Sequence, residues 1–420
     1  MIKKKILIFA HYYYPDVAST AQILKDQAEG MTKDFDVTVI CTVPSYNGMI
    51  VDSYKTQKYY FETINGVKVI RVRVPEFTKS NKISRIKNII TYFFRALNAC
   101  YKSKEQDYIF TISQPPILGG VLGIWGKWIK KAKMIYCIQD FNPEQVIAIG
   151  YIKNKFLLGL MMQIDKFTCQ HSNLVVTVGR DLVQTLEQRF KKKIIPNHIM
   201  INNWIDEREI YPLEPNHNKV QDFKARYHLS GKFVIMYSGN IGLYYDLENL
   251  IKVLNNLKDI KTADHREVVF AFVGEGAVLQ KLKNYVLENR IENIVFIPYQ
   301  KKSDLIYSLN AADVHWCVNA KGIKGVSCPS KFYGICGVQK PVLAVLESGS
   351  EVQMLIEESG CGLVSEPGDY LQVEQNIRRF IDMAEKPELA EMGIKGYTYL
   401  KMHLSKNISI EKYINAIKIL

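Results

Sequence analysis

Phe233-Val-Ile-Met-Tyr-Ser238-Gly239-Asn240-Ile241-Gly242 is the stretch that decides the architecture of this chain. Its first six residues form a short apolar and aromatic run without polar alternation, the pattern of a strand buried on both faces. Two glycines follow at once, where the backbone must turn tightly and can approach another group closely. A helical pattern then runs from Leu247 to Leu257. Strand, glycine turn and helix in this order open a doubly wound α/β unit, whose ligands bind beyond the C-terminal ends of the strands. A tight strand-to-helix turn is the plainer reading of the same residues. A second glycine-bearing strand end, Gly274-Glu-Gly276-Ala277, favours the ligand reading.

The same alternation extends in both directions. Strands are predicted at Lys5–Ala10, Asp36–Cys41, Val67–Val72, Tyr108–Ile112, Met134–Ile138 and Leu174–Thr177. Beyond them come Phe233–Ser238, Val268–Val273, Ile294–Ile297, Val314–Cys317 and Pro341–Ala344. Helical patterns such as Ala21–Met31 and Lys155–Cys169 lie between, so parallel sheets covered by helices are expected. At 420 residues the chain has room for two such domains. A polar, proline-bearing stretch after Asp206 sets the boundary: residues 1–205 form one domain and 206–407 the other. The last helix, 408–420, is expected to pack back on the first.

Charge separates the halves. Residues 1–205 hold 29 Lys+Arg and 15 Asp+Glu, whereas residues 206–420 hold 26 and 27. The positive excess therefore belongs to the first half, which is expected to meet an anionic partner: a membrane surface, a phosphorylated lipid or nucleic acid. No RRM, KH or helix-turn-helix pattern accompanies it, which argues against nucleic acid. The segment Ser84–Lys104 spaces Ile86, Ile89, Ile90, Phe93, Phe94 and Leu97 as a helix would, among Arg85, Lys87, Arg95, Lys102 and Lys104; Lys55, Lys58, Lys79 and Lys82 lie close by in sequence. Both an ordinary core-packed helix and an interfacial helix on anionic lipid fit this pattern. No run reaches the ~18 apolar residues of a spanning helix. The apolar run after the basic N-terminus is too short for a signal peptide, so a cytoplasmic protein is expected. The eight cysteines form no C-x-x-C pair, and neither they nor the histidines make a zinc pattern.

Four segments could carry chemistry. After the first strand, His11-Tyr-Tyr-Tyr14-Pro-Asp16-Val-Ala-Ser19-Thr20 leads into a helix expected near Ala21. Small residues at a helix N-terminus suit an anion, although Ser19 or Thr20 could simply be the N-cap. The second is the Gly239-Asn240-Ile-Gly242 turn. The third is Ser327-Cys-Pro-Ser330-Lys331-Phe-Tyr333-Gly334. There Lys331 sits in the first turn of a helix, against the dipole, which points to an anionic partner such as a diphosphate or else to a solvated lysine. The fourth is Gln139-Asp140-Phe-Asn-Pro-Glu144. Its two carboxylates follow a strand and suit either acid/base work or turn capping.

In this order the segments resemble the family 4 retaining glycosyltransferases of the GT-B fold: α/β, two Rossmann-like doubly wound domains facing a central cleft. Ile201-Asn-Asn-Trp-Ile-Asp206, Phe272-Val-Gly-Glu-Gly-Ala277, Ala311-Ala-Asp-Val314 and Glu366-Pro-Gly-Asp369 add to the likeness, which runs along nearly the whole chain. The chain is most similar to transferases of O-antigen and capsule clusters, including the N-acetyl-fucosamine transferase type. The resemblance implies a UDP-sugar donor, carrying an N-acetylated deoxy- or amino-sugar, with no cofactor and no metal. Gly239, Asn240, Gly242, Gly274 and Gly276 would line the donor, and Pro298 and Tyr299 would lie near the base. Ser330 and Lys331 would meet the diphosphate, and Tyr333 and Gly334 the ribose. Asp140, Lys331 and His11 would be catalytic. Tyr14, Asp16, Ser19, Thr20 and Glu144 would face the acceptor, a polyprenyl diphosphate-linked saccharide at the inner face of the plasma membrane. Two glutamates usual in the family fall on Val326 and Gly334, and its basic pair is missing from 240–246. A weakened donor-binding homologue therefore remains as an alternative, as does a UDP-sugar epimerase, which can share the two-sheet architecture.

Overall fold

A computed structural model describes residues 3–78, 81–148, 150 and 152–420. The chain divides into two units, one made of Met1–Asn203 with Lys406–Leu420 and the other of Trp204–Ser405. The division falls two residues before the expected 205/206 boundary, and the helix Lys406–Ile419 belongs to the first unit.

The first unit is built on an eight-stranded sheet: β1 (Lys4–Ala10), β2 (Phe35–Thr42), β3 (Tyr59–Ile64), β4 (Val67–Val72), β5 (Tyr108–Ile112), β6 (Lys133–Ile138), β7 (Leu174–Thr177) and β8 (His198–Met200). Their order is β3-β4-β2-β1-β5-β6-β7-β8, and only β3 runs antiparallel to its neighbour. The order turns about β1, so the chain leaves β1 and β5 in opposite directions and opens a crevice at their C-terminal ends. The helix Lys406–Ile419 packs on this unit. Ile410 fills the space over Gly30, and the Tyr413 ring meets Phe110 edge-on at 5.9 Å.

The second unit holds β9 (Phe233–Ser238), β10 (Val268–Val273), β11 (Ile294–Ile297), β12 (Val314–Val318), β13 (Val342–Val345) and β14 (Gly362–Ser365), in the order β11-β10-β9-β12-β13-β14, all parallel. Both faces are apolar. Phe233, Ile235 and Tyr237 pack with Phe270 and Phe272 on one face, while Val234 and Met236 pack with Val269 and Ala271 on the other. Alternate side chains of a strand point to opposite faces, so a continuous apolar run is what a sheet covered on both sides requires.

Most predicted strands agree with the observed ones to within a residue or two. β3, β8 and β14 were not expected. β3 joins β4 through Asn65-Gly66, both at positive φ, a two-residue hairpin turn. The first helix begins at Ser19, earlier than expected. Its N-cap is Ala18, so neither Ser19 nor Thr20 caps it. The 84–104 segment is a helix over Lys82–Lys102, capped by the Asn81 side chain, which accepts from the backbone N–H of Ile83 and Ser84. Lys79 lies outside the described residues. Among the described residues, no helix is long and apolar enough to cross a membrane.

Candidate active site

In the second unit, the turns after β9 and β10 are zipped together. The Gly239 N–H donates to the Val273 carbonyl (2.9 Å), Ile241 to Glu275 (2.8 Å) and Val278 to Ile241 (3.2 Å), while Gly274 donates to Ile297 at the end of β11 (2.9 Å). Gly274 has φ +142°, and a Cβ there would lie 1.9 Å from the Gly239 carbonyl oxygen; one at Gly276 would lie 2.2 Å from that of Ile241. These glycines are needed for backbone to cross backbone. Gly239 differs, because a Cβ there would meet the Lys331 side chain at 2.6 Å. The Tyr237 hydroxyl donates to the Asn240 carbonyl (2.6 Å) and pins this turn, leaving the Asn240 side chain exposed. Gly242 is packed tightly against that side chain.

Lys331 opens the helix Lys331–Gly337 and lies over the turn. Its Nζ is 3.8 Å from the Tyr245 ring centroid and 5.1 Å from that of Tyr237. It is partly buried, and no carboxylate among the described residues pairs with it. Two ring faces attract a cation but leave its charge available to an anion. Ser330 occupies the N-cap position without a side-chain cap bond. Pro298 and Tyr299 follow β11, both exposed. Because the sheet is parallel, these groups share its C-terminal edge.

Tyr333, expected near a ribose, is wholly buried among Cys317, Phe332 and Cys336, and so belongs to the core. Gly334 is buried beside it, with Leu309 at ordinary contact distance from a Cβ built there. Val326 is buried as well.

The first unit has a cavity of about 360 Å³ at the crevice beside β1. His11 and Tyr12 reach it from the end of β1, Ser113 and Gln114 from β5, and Asp140 and Asn142 from β6. Ala18, Ser19 and Thr20 add the start of the first helix, and Arg85, Asn88 and Ile89 come from the helix Lys82–Lys102. The Ser113 hydroxyl accepts from the backbone N–H of Gln139 (3.1 Å) and Asp140 (3.3 Å), which fixes where Asp140 starts. Thr20 donates to Gln114 Oε1 at 2.9 Å.

His11 is 6% exposed, and its Nε2 has no hydrogen-bond partner. Burial pushes its pKa down to about 4, with Asn88 opposing the shift, so the ring is neutral at pH 7. It can accept or donate one hydrogen bond but is too weak a base to take a proton from a hydroxyl. Asn142 Oδ1 is likewise buried and unpartnered. Buried polar atoms are normally satisfied, so two orphans in one cavity call for a ligand with hydrogen-bonding groups.

Three residues expected on the acceptor side, Glu144, Asp16 and Tyr14, do not line this cavity. Glu144 turns to Arg189, whose guanidinium also reaches Asp165 and the Asn142 carbonyl. Burial raises the Asp165 pKa, and Arg189 works against that shift. Asp16 accepts from the backbone N–H of Ser45 (3.1 Å) and Tyr46 (3.0 Å), so its carboxylate holds a loop. Tyr14 is exposed, and its carbonyl accepts from Arg71 at 2.6 Å. Reading the sequence missed Asn142 and Asn88 as cavity residues, and Tyr245 beside Lys331. Asn142 stood inside a quoted motif, and its place after a strand was the available signal.

Residues 219–397, most of the second unit, match the family Glycosyl transferases group 1. A Pseudomonas aeruginosa protein described as a glycosyltransferase, WbjE, is 25% identical over 81% of this chain and 82% of its own length. An Escherichia coli K12 protein described as a colanic acid biosynthesis glycosyl transferase, WcaI, is 22% identical over 99% of this chain and 100% of its own. Among solved structures, sucrose-phosphate synthase from Thermosynechococcus elongatus superposes with a TM-score of 0.77 at 13% identity, covering 99% of this chain and 98% of that one. Anabaena Alr3699/HepE in complex with UDP and glucose superposes at 0.71 and 13% identity, over 99% and 100%. The chain thus has the GT-B fold, and residues 219–397 of its second unit are similar to the group 1 glycosyl transferases.

Proposed function

We propose that this protein is a retaining, metal-independent glycosyltransferase of surface-polysaccharide synthesis. It takes a sugar from a UDP-sugar held by the second unit and passes it to a lipid-linked saccharide whose hydroxyls enter the cavity of the first. The observation that carries the reading is Lys331: a partly buried cation over the Gly239 turn, set against two aromatic rings and paired with no carboxylate among the described residues. A leaving nucleoside diphosphate gains negative charge as the sugar bond breaks, and a fixed cation stabilises that charge more than it stabilises the ground state. HepE, solved with UDP and glucose on the same fold, supports this kind of donor.

The first unit suits a hydroxyl-bearing acceptor. Asn142 Oδ1 can only accept, so it selects a donor such as a sugar hydroxyl. Neutral His11 can orient a second hydroxyl. With His11 too weak a base, the acceptor proton goes to the departing phosphate or to Asp140. WcaI, described for colanic acid synthesis, fits a polysaccharide product. An N-acetylated deoxy- or amino-sugar is the donor sugar proposed.

Thermal unfolding in the presence of UDP-, GDP-, dTDP- and ADP-sugars, without added metal, tests the reading. A higher midpoint with UDP and with one UDP-sugar is expected. No change with any nucleotide would overturn the donor assignment.

A further inference from the structure

The helix Lys82–Lys102 has two apolar faces where one would suffice. Asn88, Tyr92, Ala96 and Ala99 are buried against the first unit. Ile83, Ile86, Ile90, Phe94 and Tyr101 point outward, 46–78% exposed. At 3.6 residues per turn these five fall within an arc of about 80°, opposite the buried face. A solvated outer face would be polar. This one is an apolar stripe with the exposed Lys82, Lys87 and Lys102 along its flanks, and residues 82–104 contain no acid.

The stripe continues onto neighbouring helices. Leu118–Lys130 packs beside Lys82–Lys102, and Lys155–His171 packs on its other side. Lys130 Nζ donates to the carbonyls of Tyr101 (3.2 Å) and Ser103 (2.6 Å), and Lys127 Nζ to that of His171 (2.7 Å), tying the three together. The middle helix exposes Trp125 and Trp128, about half accessible, edge-on at 5.6 Å. The third exposes Phe156 at 82%, with Leu160 and Phe167 along the same stripe. A soluble monomer seldom leaves so much apolar surface in one place.

We propose that this three-helix face docks on an anionic lipid bilayer, with the apolar stripe and tryptophans at the level of the head groups and the bases on lipid phosphates. Charge decides the occupant. A second copy related by a two-fold axis would set basic flank against basic flank, whereas anionic lipid neutralises them. Exposed tryptophan beside aliphatic residues and lysine is the composition of a membrane-water interface. The helix that carries the outer stripe also lines the acceptor cavity with Arg85, Asn88 and Ile89 from its other side. A lipid-linked saccharide could then keep its chain in the bilayer while its sugars reach His11 and Asn142. This deepens the proposed lipid-linked acceptor and rests on it only for that last step.

The test is flotation with vesicles of phosphatidylcholine alone or mixed with phosphatidylglycerol, at low salt and without nucleotide. Binding to the mixed vesicles is expected to be at least about tenfold stronger than to the neutral ones. Brominated lipids in the mixed vesicles should quench tryptophan emission, because Trp204 and Trp316 are 3% exposed and only Trp125 and Trp128 can meet lipid. Two double variants at exposed positions, Ile86→Ser with Phe94→Ser and Lys87→Gln with Lys102→Gln, should each weaken binding about tenfold or more without moving the unfolding midpoint. Equal binding to both vesicle types, unquenched tryptophan, or variants that bind like the parent would overturn the docking face. Because no nucleotide is present, these outcomes leave the transferase reading standing, and a failure of UDP binding leaves the docking face standing.

Discussion

The α-carbon of Gly274 faces the carbonyl oxygen of Gly239 so closely that a Cβ would lie 1.9 Å from it. Gly274→Ala must therefore separate the β9 and β10 turns and also hold a side chain at φ +142°. Destabilisation of about 3 kcal/mol or more is expected, read as a lower urea midpoint at unchanged slope. Gly159 provides the contrast. It sits inside a helix with nothing within 4 Å of a Cβ, so Gly159→Ala should be neutral or stabilise by up to about 1 kcal/mol.

Lys331→Met removes the charge and keeps most of the stem. The unfolding midpoint should fall only slightly, since the two ring contacts are lost but no ion pair among the described residues is. Affinity for UDP, measured by calorimetry, should fall about tenfold or more, as expected for loss of a charge-assisted contact. Turnover should fall at least as far. Unchanged turnover and affinity would remove Lys331 from the phosphate site.

His11 and His315 are buried, and burial lowers both pKa values to about 4. In the unfolded chain they titrate near 6.5. Between those values the unfolded state binds more protons, so stability contributed by the neutral rings falls as pH drops from 6.5 towards 4 and levels off below. Each histidine contributes up to about 3 kcal/mol over that window, at about 1.4 kcal/mol per pH unit. Denaturant unfolding at pH 7 and pH 4.5 should show a smaller loss for His315→Gln than for the parent. An identical loss would mean that the ring is not held neutral.

Arg189→Met leaves Glu144 and the buried Asp165 without their shared cation. A loss of about 3–5 kcal/mol is expected, because an uncompensated buried charge costs more than the pair supplied. Arg189→Lys should recover only part of it, since an ammonium cannot span two carboxylates and the Asn142 carbonyl as the planar fork does. Thermal unfolding of both variants checks the order.

Strands buried on both faces were legible in the sequence because their apolar runs are continuous, as in Phe233–Ser238 and Val268–Val273. β3 was not, because Tyr59–Ile64 is a half-exposed edge strand with mixed polarity. The Asn65-Gly66 pair was its visible mark. The cavity residues were partly legible. Strand ends could be read, which found His11 and Asp140. Which side chain at a strand end turns inward depends on partners distant in sequence, and so Glu144 and Asp16 looked available until Arg189 and the Ser45–Tyr46 backbone claimed them. Tyr333 misled for a related reason: it follows Lys331 by two positions on a helix, and that spacing turns it to the opposite side.

The helix Lys406–Ile419 has a consequence for the order of folding. It supplies Ile410 over Gly30 and Tyr413 against Phe110, so the first unit lacks part of its packing until those residues leave the ribosome. The second unit is continuous in sequence and is complete when Ser405 has been made. During synthesis the second unit can therefore close first, while the first waits for a segment translated after it.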